Sequence, residues 1–185
     1  MKRFMYTAAC VSLVLMFVFF FLMVNTLKSV FCTLGITAMT ICYHFTVRLV
    51  IGNIADRIKL SRFKPESRRF RERKFERKLY KAIRVKKWKK FAPTYDKKLF
   101  SLKDRSVDNI IGETCCAEVV HSLCALASLA SICFTVWFGS LPAFLITGIL
   151  GALVDLTFVI IQRYNRPRLK RLEEKIDNVQ LTIDN

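Results

Sequence analysis

Eight consecutive residues that follow the last long apolar run carry a high density of planar, directional hydrogen-bonding groups. They read Gln162-Arg163-Tyr164-Asn165-Arg166-Pro167-Arg168-Leu169. A stop-transfer signal needs only loose positive charge, whereas an arginine fork binds a phosphate or carboxylate through two parallel hydrogen bonds. We expect this string to bind an anionic or polar headgroup at a bilayer surface, with the proline ending the helix near Asn165. The predicted substrate contacts are Gln162, Arg163, Tyr164, Asn165, Arg166 and Arg168.

The chain has two histidines, and both lie inside apolar segments, where ionisable groups are costly and usually face an internal cavity. Glu118 precedes His121 by three residues, so the two share a helix face. A carboxylate beside an imidazole can fix its tautomer and raise its basicity, which suits a general base. Glu113 lies roughly two turns before His121 on a similar face. The sequence therefore predicts His121 and Glu118 as catalytic residues and Glu113 as a substrate contact.

A second polar group surrounds His44. Arg48 follows one helical turn later, and Asn53 lies beyond it. These groups could bind an anion or stabilise an oxyanion, so we predict a catalytic role for His44 and substrate contacts for Arg48 and Asn53. The alternative is that both histidine groups form interhelical hydrogen bonds that hold a bundle together.

The spacing of histidines, glutamates and cysteines gives little support for metal or thiol chemistry. The histidines and glutamates lack the close ligand spacing of a zinc site, and we predict no metal. The seven cysteines contain no CxxC pair and lie mostly in or beside apolar runs, where free thiols behave as small hydrophobes.

A strongly basic stretch lies in the middle of the chain. Apolar residues recur near helical spacing among many cations, which predicts a basic amphipathic helix at the membrane interface. They are Phe63, Phe70, Phe75, Leu79, Tyr80 and Ile83. Beyond it, one tryptophan stands among lysines. This second string predicts either an interfacial anchor or a clamp for donor phosphates, and the substrate contacts that we expect from it are Lys86, Lys87, Trp88 and Lys89.

The elements that must position these residues are membrane helices. The chain has 185 residues, of which 53% are hydrophobic, and a formal net charge of +17. Four apolar segments have about the 20 residues that a span needs. The basic loop and basic tails place both termini in the cytoplasm. Small residues such as Gly148 and Gly151 predict close helix packing.

The predicted fold class is therefore an all-α integral membrane protein with four transmembrane helices, arranged as two hairpins joined by a basic amphipathic cytoplasmic segment. The expected divisions are a first hairpin at 1–55, a basic interfacial segment at 56–112, a second hairpin at 113–168 and a polar tail at 169–185.

The motifs together resemble the glycosyl-4,4'-diaponeurosporenoate acyltransferase family of Gram-positive bacteria. The likeness runs roughly from Tyr43 to Leu169, and it is carried by His44 with Arg48, by Val85–Lys89, by Glu113 to His121, and above all by Gln162–Leu169. The resemblance implies esterification of a sugar hydroxyl on a membrane glycolipid, which completes a carotenoid pigment of the staphyloxanthin type. It also implies a bacterial cell-membrane location.

The expected activity is thus acyl transfer from a coenzyme A or carrier-protein thioester to a glycolipid hydroxyl, without a further cofactor. The expected partners are membrane lipids, the acyl donor and the glycolipid acceptor. We expect no nucleic acid partner, and the sequence leaves open whether the chain forms a homo-oligomer. Two alternatives remain at this point: a non-enzymatic scaffold that binds anionic lipid, and a small transporter.

Overall fold

The computed structural model describes residues 2–58, 65–89 and 106–183, and every long element within them is an α-helix. The helices are α1 (Lys2–Thr26), α2 (Ser29–Ile58), α3 (Lys74–Ala82), α4 (Val85–Trp88), α5 (Val107–Ala130), α6 (Thr135–Phe138) and α7 (Leu141–Ile183), with a 3-10 turn at Ser131–Phe134 between α5 and α6. Four stretches are long and apolar enough to cross a membrane: Lys2–Thr26, Ser29–Arg57, Val107–Phe138 and Leu141–Val179. The predicted all-α membrane fold is confirmed.

The chain divides into two compact units. The first contains residues 1–57 and 120–156, and the second contains residues 58–119 and 157–185. Helices α5 and α7 each contribute residues to both.

Close helix approach in the first unit depends on two glycines of α7. A Cβ atom on Gly148 would lie 2.9 Å from the carbonyl oxygen of Ser128, and one on Gly151 would lie 3.0 Å from the hydroxyl of Ser128. Contacts this short leave no room for a methyl group. The small residues therefore pack as the sequence predicts.

The prediction that α7 ends near Asn165 is wrong, because the helix continues through Pro167 to Ile183. A proline inside a helix removes one hydrogen bond and costs about 3 kcal/mol. Burial on both sides of the proline offsets this cost. Arg166 is only 2% exposed, and Leu169 packs in an apolar cluster with Val107, Ile110 and Ile111.

The basic amphipathic helix is shorter than predicted. Helix α3 begins only at Lys74, residues 65–71 are turns and bends, and Phe63 lies outside the described residues. The reason is that carbonyl groups of 69–71 accept hydrogen bonds from arginine side chains of α7, so they do not join a helix ladder. Phe75 and Leu79 remain 57% and 42% exposed, one turn apart, while Tyr80 is buried.

Candidate active site

The polar cluster of the first unit is centred on Arg48, a cation within a membrane-spanning helix. Its guanidinium donates to the carbonyl of His44 at 2.9 Å, to the carbonyl of Gly151 at 3.0 Å and to the hydroxyl of Ser128 at 3.3 Å. It also forms an ion pair with Asp155 at 2.5 Å. A charge in this setting needs a partner, and Asp155 provides it.

His121 is bound to the same carboxylate. Its Nδ1 lies 3.0 Å from Oδ1 of Asp155, which is 1% exposed, while the side chain of His121 is 27% exposed. The sequence predicts Glu118 as a partner of His121 from helical spacing, and the structure places the carboxylate of Asp155 at Nδ1. In the tautomer in which Nδ1 of a neutral His121 donates to this carboxylate, Nε2 carries the lone pair.

His44 is a further ionisable side chain that is buried in the first unit. Its side chain is buried, with 8% of the residue exposed, and its backbone carbonyl accepts from Arg48. Among the residues that the structure describes, neither ring nitrogen has a hydrogen-bond partner. A buried polar group without a partner is costly, and in native proteins it often marks a functional site.

Asp155 belongs to this cluster, although it is not among the predicted catalytic or substrate-binding residues. It is the single ionisable side chain in the apolar run 141–161, and that isolation is the signal that could have identified it. Asn53 lies further along α2, where its amide donates to the hydroxyl of Tyr6 at 3.3 Å.

The second unit contains a different ionic cluster, centred on Arg163. All five N–H donors of this guanidinium are used. Nε and Nη2 donate to Glu76 at 3.1 and 2.5 Å, and Nη2 also donates to the carbonyl of Arg71 at 3.1 Å. Nη1 donates to Glu118 at 2.6 Å and to the carbonyl of Arg69 at 3.0 Å.

Arg166 completes this cluster. Its guanidinium pairs with Glu118 at 2.7 Å and donates to the hydroxyl and the carbonyl of Thr114. It also donates to the carbonyl of Phe70 and lies 5.0 Å from the centre of the Phe70 ring. Two arginines and two glutamates thus neutralise one another while they fix the turn at 69–71. The binding role predicted for Arg163 and Arg166 stays a prediction.

The string at 162–169 is divided between two faces of α7. Positions 163 and 166 lie within about 60° of each other around the helix axis, on one face. Positions 164 and 168, four residues apart, lie together on another face. Tyr164 carries the guanidinium of Arg168 over its ring at 3.5 Å, and it packs edge-on against Tyr80. Lys89 donates to the Asn165 side chain at 2.8 Å.

The lysine-tryptophan string folds as α4. The indole N–H of Trp88 donates to the carbonyl of Ile83 at 2.9 Å, and its ring packs against a cluster that contains Val85. Lys86 and Lys87 are exposed and line a cavity of the second unit. Glu113 and Gln162 are half-buried on α5 and α7. The described residues contain no cluster of three or more metal-ligating side chains.

A comparison with known families gives one match. A family model described as glycosyl-4,4'-diaponeurosporenoate acyltransferase matches residues 66–175, more than half of the chain. Comparison with the curated proteins and with the solved structures gives no match. The matched range contains His121, Asp155 and the string at 162–169. The resemblance drawn from the motifs is confirmed: the chain belongs to the glycosyl-4,4'-diaponeurosporenoate acyltransferase family.

Proposed function

We propose that this protein transfers an acyl group from a thioester donor to a hydroxyl of a membrane glycolipid, with His121 as the general base. The observation that carries the proposal is the contact between Nδ1 of His121 and the buried Asp155. That contact directs the basic Nε2 nitrogen away from the carboxylate. The family supplies the acyltransferase class, and a glycosylated carotenoid is the acceptor that its name suggests.

The reaction proceeds in two proton transfers. Nε2 of His121 takes the proton of the acceptor hydroxyl while the oxygen attacks the thioester carbonyl carbon. The tetrahedral intermediate then breaks its carbon–sulfur bond, and the imidazolium returns the proton to the departing sulfur. The products are an ester and a free thiol. Asp155 stabilises the transient imidazolium, which is how a carboxylate behind a catalytic histidine acts.

His44 is proposed to contact the acceptor. Its ring nitrogens are buried without a partner in the described part of the chain, and a sugar hydroxyl supplies what they lack. Arg48 is a positioning residue in this scheme, because its hydrogen bonds fix both the backbone of His44 and the side chain of Asp155.

The test uses the purified protein in lipid nanodiscs with a labelled acyl thioester and glycolipid extract, with the product read by mass spectrometry. His121→Ala should lower turnover by about 10²–10⁴-fold, the usual contribution of a general base. Leu126→Ala is the matched control, since Leu126 lies on the same helix and is 64% exposed. Turnover at the wild-type rate in a folded His121→Ala protein would refute the assignment.

Lipid binding without catalysis is the second candidate, and one observation favours it. Phe75 and Leu79 form an exposed apolar stripe on a helix that is otherwise basic, a pattern suited to the membrane interface. In this case the protein would bind anionic vesicles tightly and produce no ester from any thioester donor.

We further propose that the protein lies in a bacterial cell membrane with both termini in the cytoplasm. The excess of lysine and arginine between the second and third spans and after Gln162, in the C-terminal part of α7, supports this orientation. Labelling of single-cysteine variants at the two ends in intact cells and in lysed cells would test it.

A further inference from the structure

The second unit contains a cavity with an unusual concentration of positive charge. Its volume is about 470 Å³, and seven of its lining side chains are cationic. Five of them lie between the start of α3 and the end of α4: Arg77, Lys81, Arg84, Lys86 and Lys87. Two more come from α7, Arg168 and Arg171. Among the described lining residues, Glu72 is the single carboxylate, and it binds Arg77 at 3.0 Å.

Most of this charge has no ion-pair partner among the residues that the structure describes. Within the described part of the chain, Lys81, Arg84, Lys86 and Lys87 form no ion pair, in contrast to Arg163 and its four protein partners. Like charges around one cavity repel one another, so their assembly weakens the fold unless an anion binds. The arrangement is therefore typical of a ligand site and not of a structural cluster.

The backbone conformation of Arg84 also supports a ligand site. This residue has φ 50° and ψ 44°, the left-handed conformation that ends a helix and that glycine adopts most readily. Its conformation joins α3 to α4, which brings Lys86 and Lys87 to the cavity. An arginine held where glycine fits better indicates that its guanidinium is used.

One wall of the cavity is aromatic and uncharged. Tyr164 packs edge-on against Tyr80 with 5.6 Å between ring centroids. Burial raises the pKa of the Tyr80 phenol, and its hydrogen bond to Glu76 raises it further. The phenol therefore stays neutral at physiological pH and adds no negative charge to the lining.

We propose that this cavity binds a ligand that carries two or more closely spaced phosphates. Arginine and lysine are the side chains that bind phosphate, and the cavity has the size of ordinary ligand sites. A single phosphodiester would leave most of the cations uncompensated. The same chemistry occurs in the nucleotide part of coenzyme A and in a phosphorylated lipid headgroup. Assignment of the cavity to the acyl donor rests on the proposed function, whereas phosphate binding does not.

The experiment measures binding and not turnover, so the two proposals can fail separately. The full chain in nanodiscs of uncharged lipid is titrated with coenzyme A and with dephospho-coenzyme A, and its binding to vesicles that contain a bisphosphorylated lipid is measured in parallel. The variant Lys86→Ala/Lys87→Ala should weaken binding by at least about tenfold, as expected from the loss of charge-assisted hydrogen bonds.

The matched control is Lys74→Ala/Lys78→Ala, which removes the same charge from exposed positions of α3 outside the cavity. We expect coenzyme A to bind more tightly than dephospho-coenzyme A, and the control variant to bind like wild type. Vesicle binding with the same dependence on Lys86 and Lys87, without coenzyme A binding, would assign the site to lipid. Equal weakening in both double variants, or no binding of either ligand, would overturn the proposal.

Arg84→Gly is a second variant, in which weaker binding could not be attributed to a destabilised fold. Glycine relieves the left-handed conformation, so the protein should be at least as stable as wild type while it binds the phosphate ligand less tightly. Unchanged affinity in this variant would contradict the use of the Arg84 guanidinium.

Discussion

Each of the two units buries an ionic cluster, but the clusters differ in how far their polar groups are satisfied. Around Arg163 every guanidinium donor has a protein partner, and Arg166 is 2% exposed. Around Arg48 the ion pair with Asp155 is equally short, yet His44 has two unpartnered ring nitrogens in the described chain, and the side chain of His121 is 27% exposed.

The difference separates structural charge from reactive charge. In the cluster around Arg163, all donors of that guanidinium are engaged and both carboxylates have an arginine partner, and these contacts fix the backbone at 69–71. An unsaturated network costs stability, and a protein retains it where a ligand supplies the missing hydrogen bonds. By this criterion, we expect the reaction at the cluster of Asp155 and His121, although arginine density in the sequence favours the other.

The largest effect should follow from breaking the saturated cluster. Arg166→Leu leaves Glu118 with one cationic partner in a buried site, and loss of one member of a buried ion pair costs about 3–5 kcal/mol. Thermal unfolding in detergent should show a clear decrease in stability. Arg171→Leu is the control, because this exposed arginine lies on the same helix, and it should leave the unfolding temperature nearly unchanged. Equal stability of the two variants would contradict a structural role for Arg166.

A smaller effect should follow from crowding the reactive cluster. A Cβ atom on Gly151 would lie 3.0 Å from the Ser128 hydroxyl and 3.3 Å from the Arg48 guanidinium, so Gly151→Ala should destabilise by about 1–3 kcal/mol through overpacking. It should also lower turnover, because Arg48 holds Asp155.

Gly52→Ala is the matched control for this variant. No atom lies within 4 Å of a Cβ atom at Gly52, which is on α2. This substitution should stabilise the protein by about 1 kcal/mol through helix propensity alone. A loss of stability at position 52 that matched the loss at 151 would remove the steric explanation.

The smallest effect on stability, opposite in sign, is expected at His44. His44→Leu removes two buried nitrogens that have no partner in the described chain, so stability should rise by about 1–2 kcal/mol while turnover falls. Tyr43→Phe is the neighbouring control. It removes a hydrogen bond to the carbonyl of Ala127, so stability should decrease and turnover should persist. A less stable His44→Leu protein would indicate that His44 is structural.

The sequence predicts the spans because a run of about 20 apolar residues has few alternatives to a membrane helix. Contacts between side chains of helices that are distant in the sequence cannot be predicted from such runs. Helical spacing suggests Glu118, three residues away, as a neighbour of His121, but it gives no sign of the contact with Asp155, 34 residues away. The sequence also does not predict that the arginines at 163, 166 and 168 lie on two faces of one helix. A helix that ended near Asn165 would have left Arg166 in a loop, whereas burial of Leu169 carries the helix past Pro167.

The continuous helix through Pro167 has a consequence for how this motif can change over evolution. Each residue of a helix turns the next by about 100°, so one inserted residue between Arg163 and Tyr164 would turn every later side chain by that angle. Arg166 would leave Glu118, and Arg168 would leave the cavity. Family members can therefore exchange individual side chains around this motif far more readily than they can change its length.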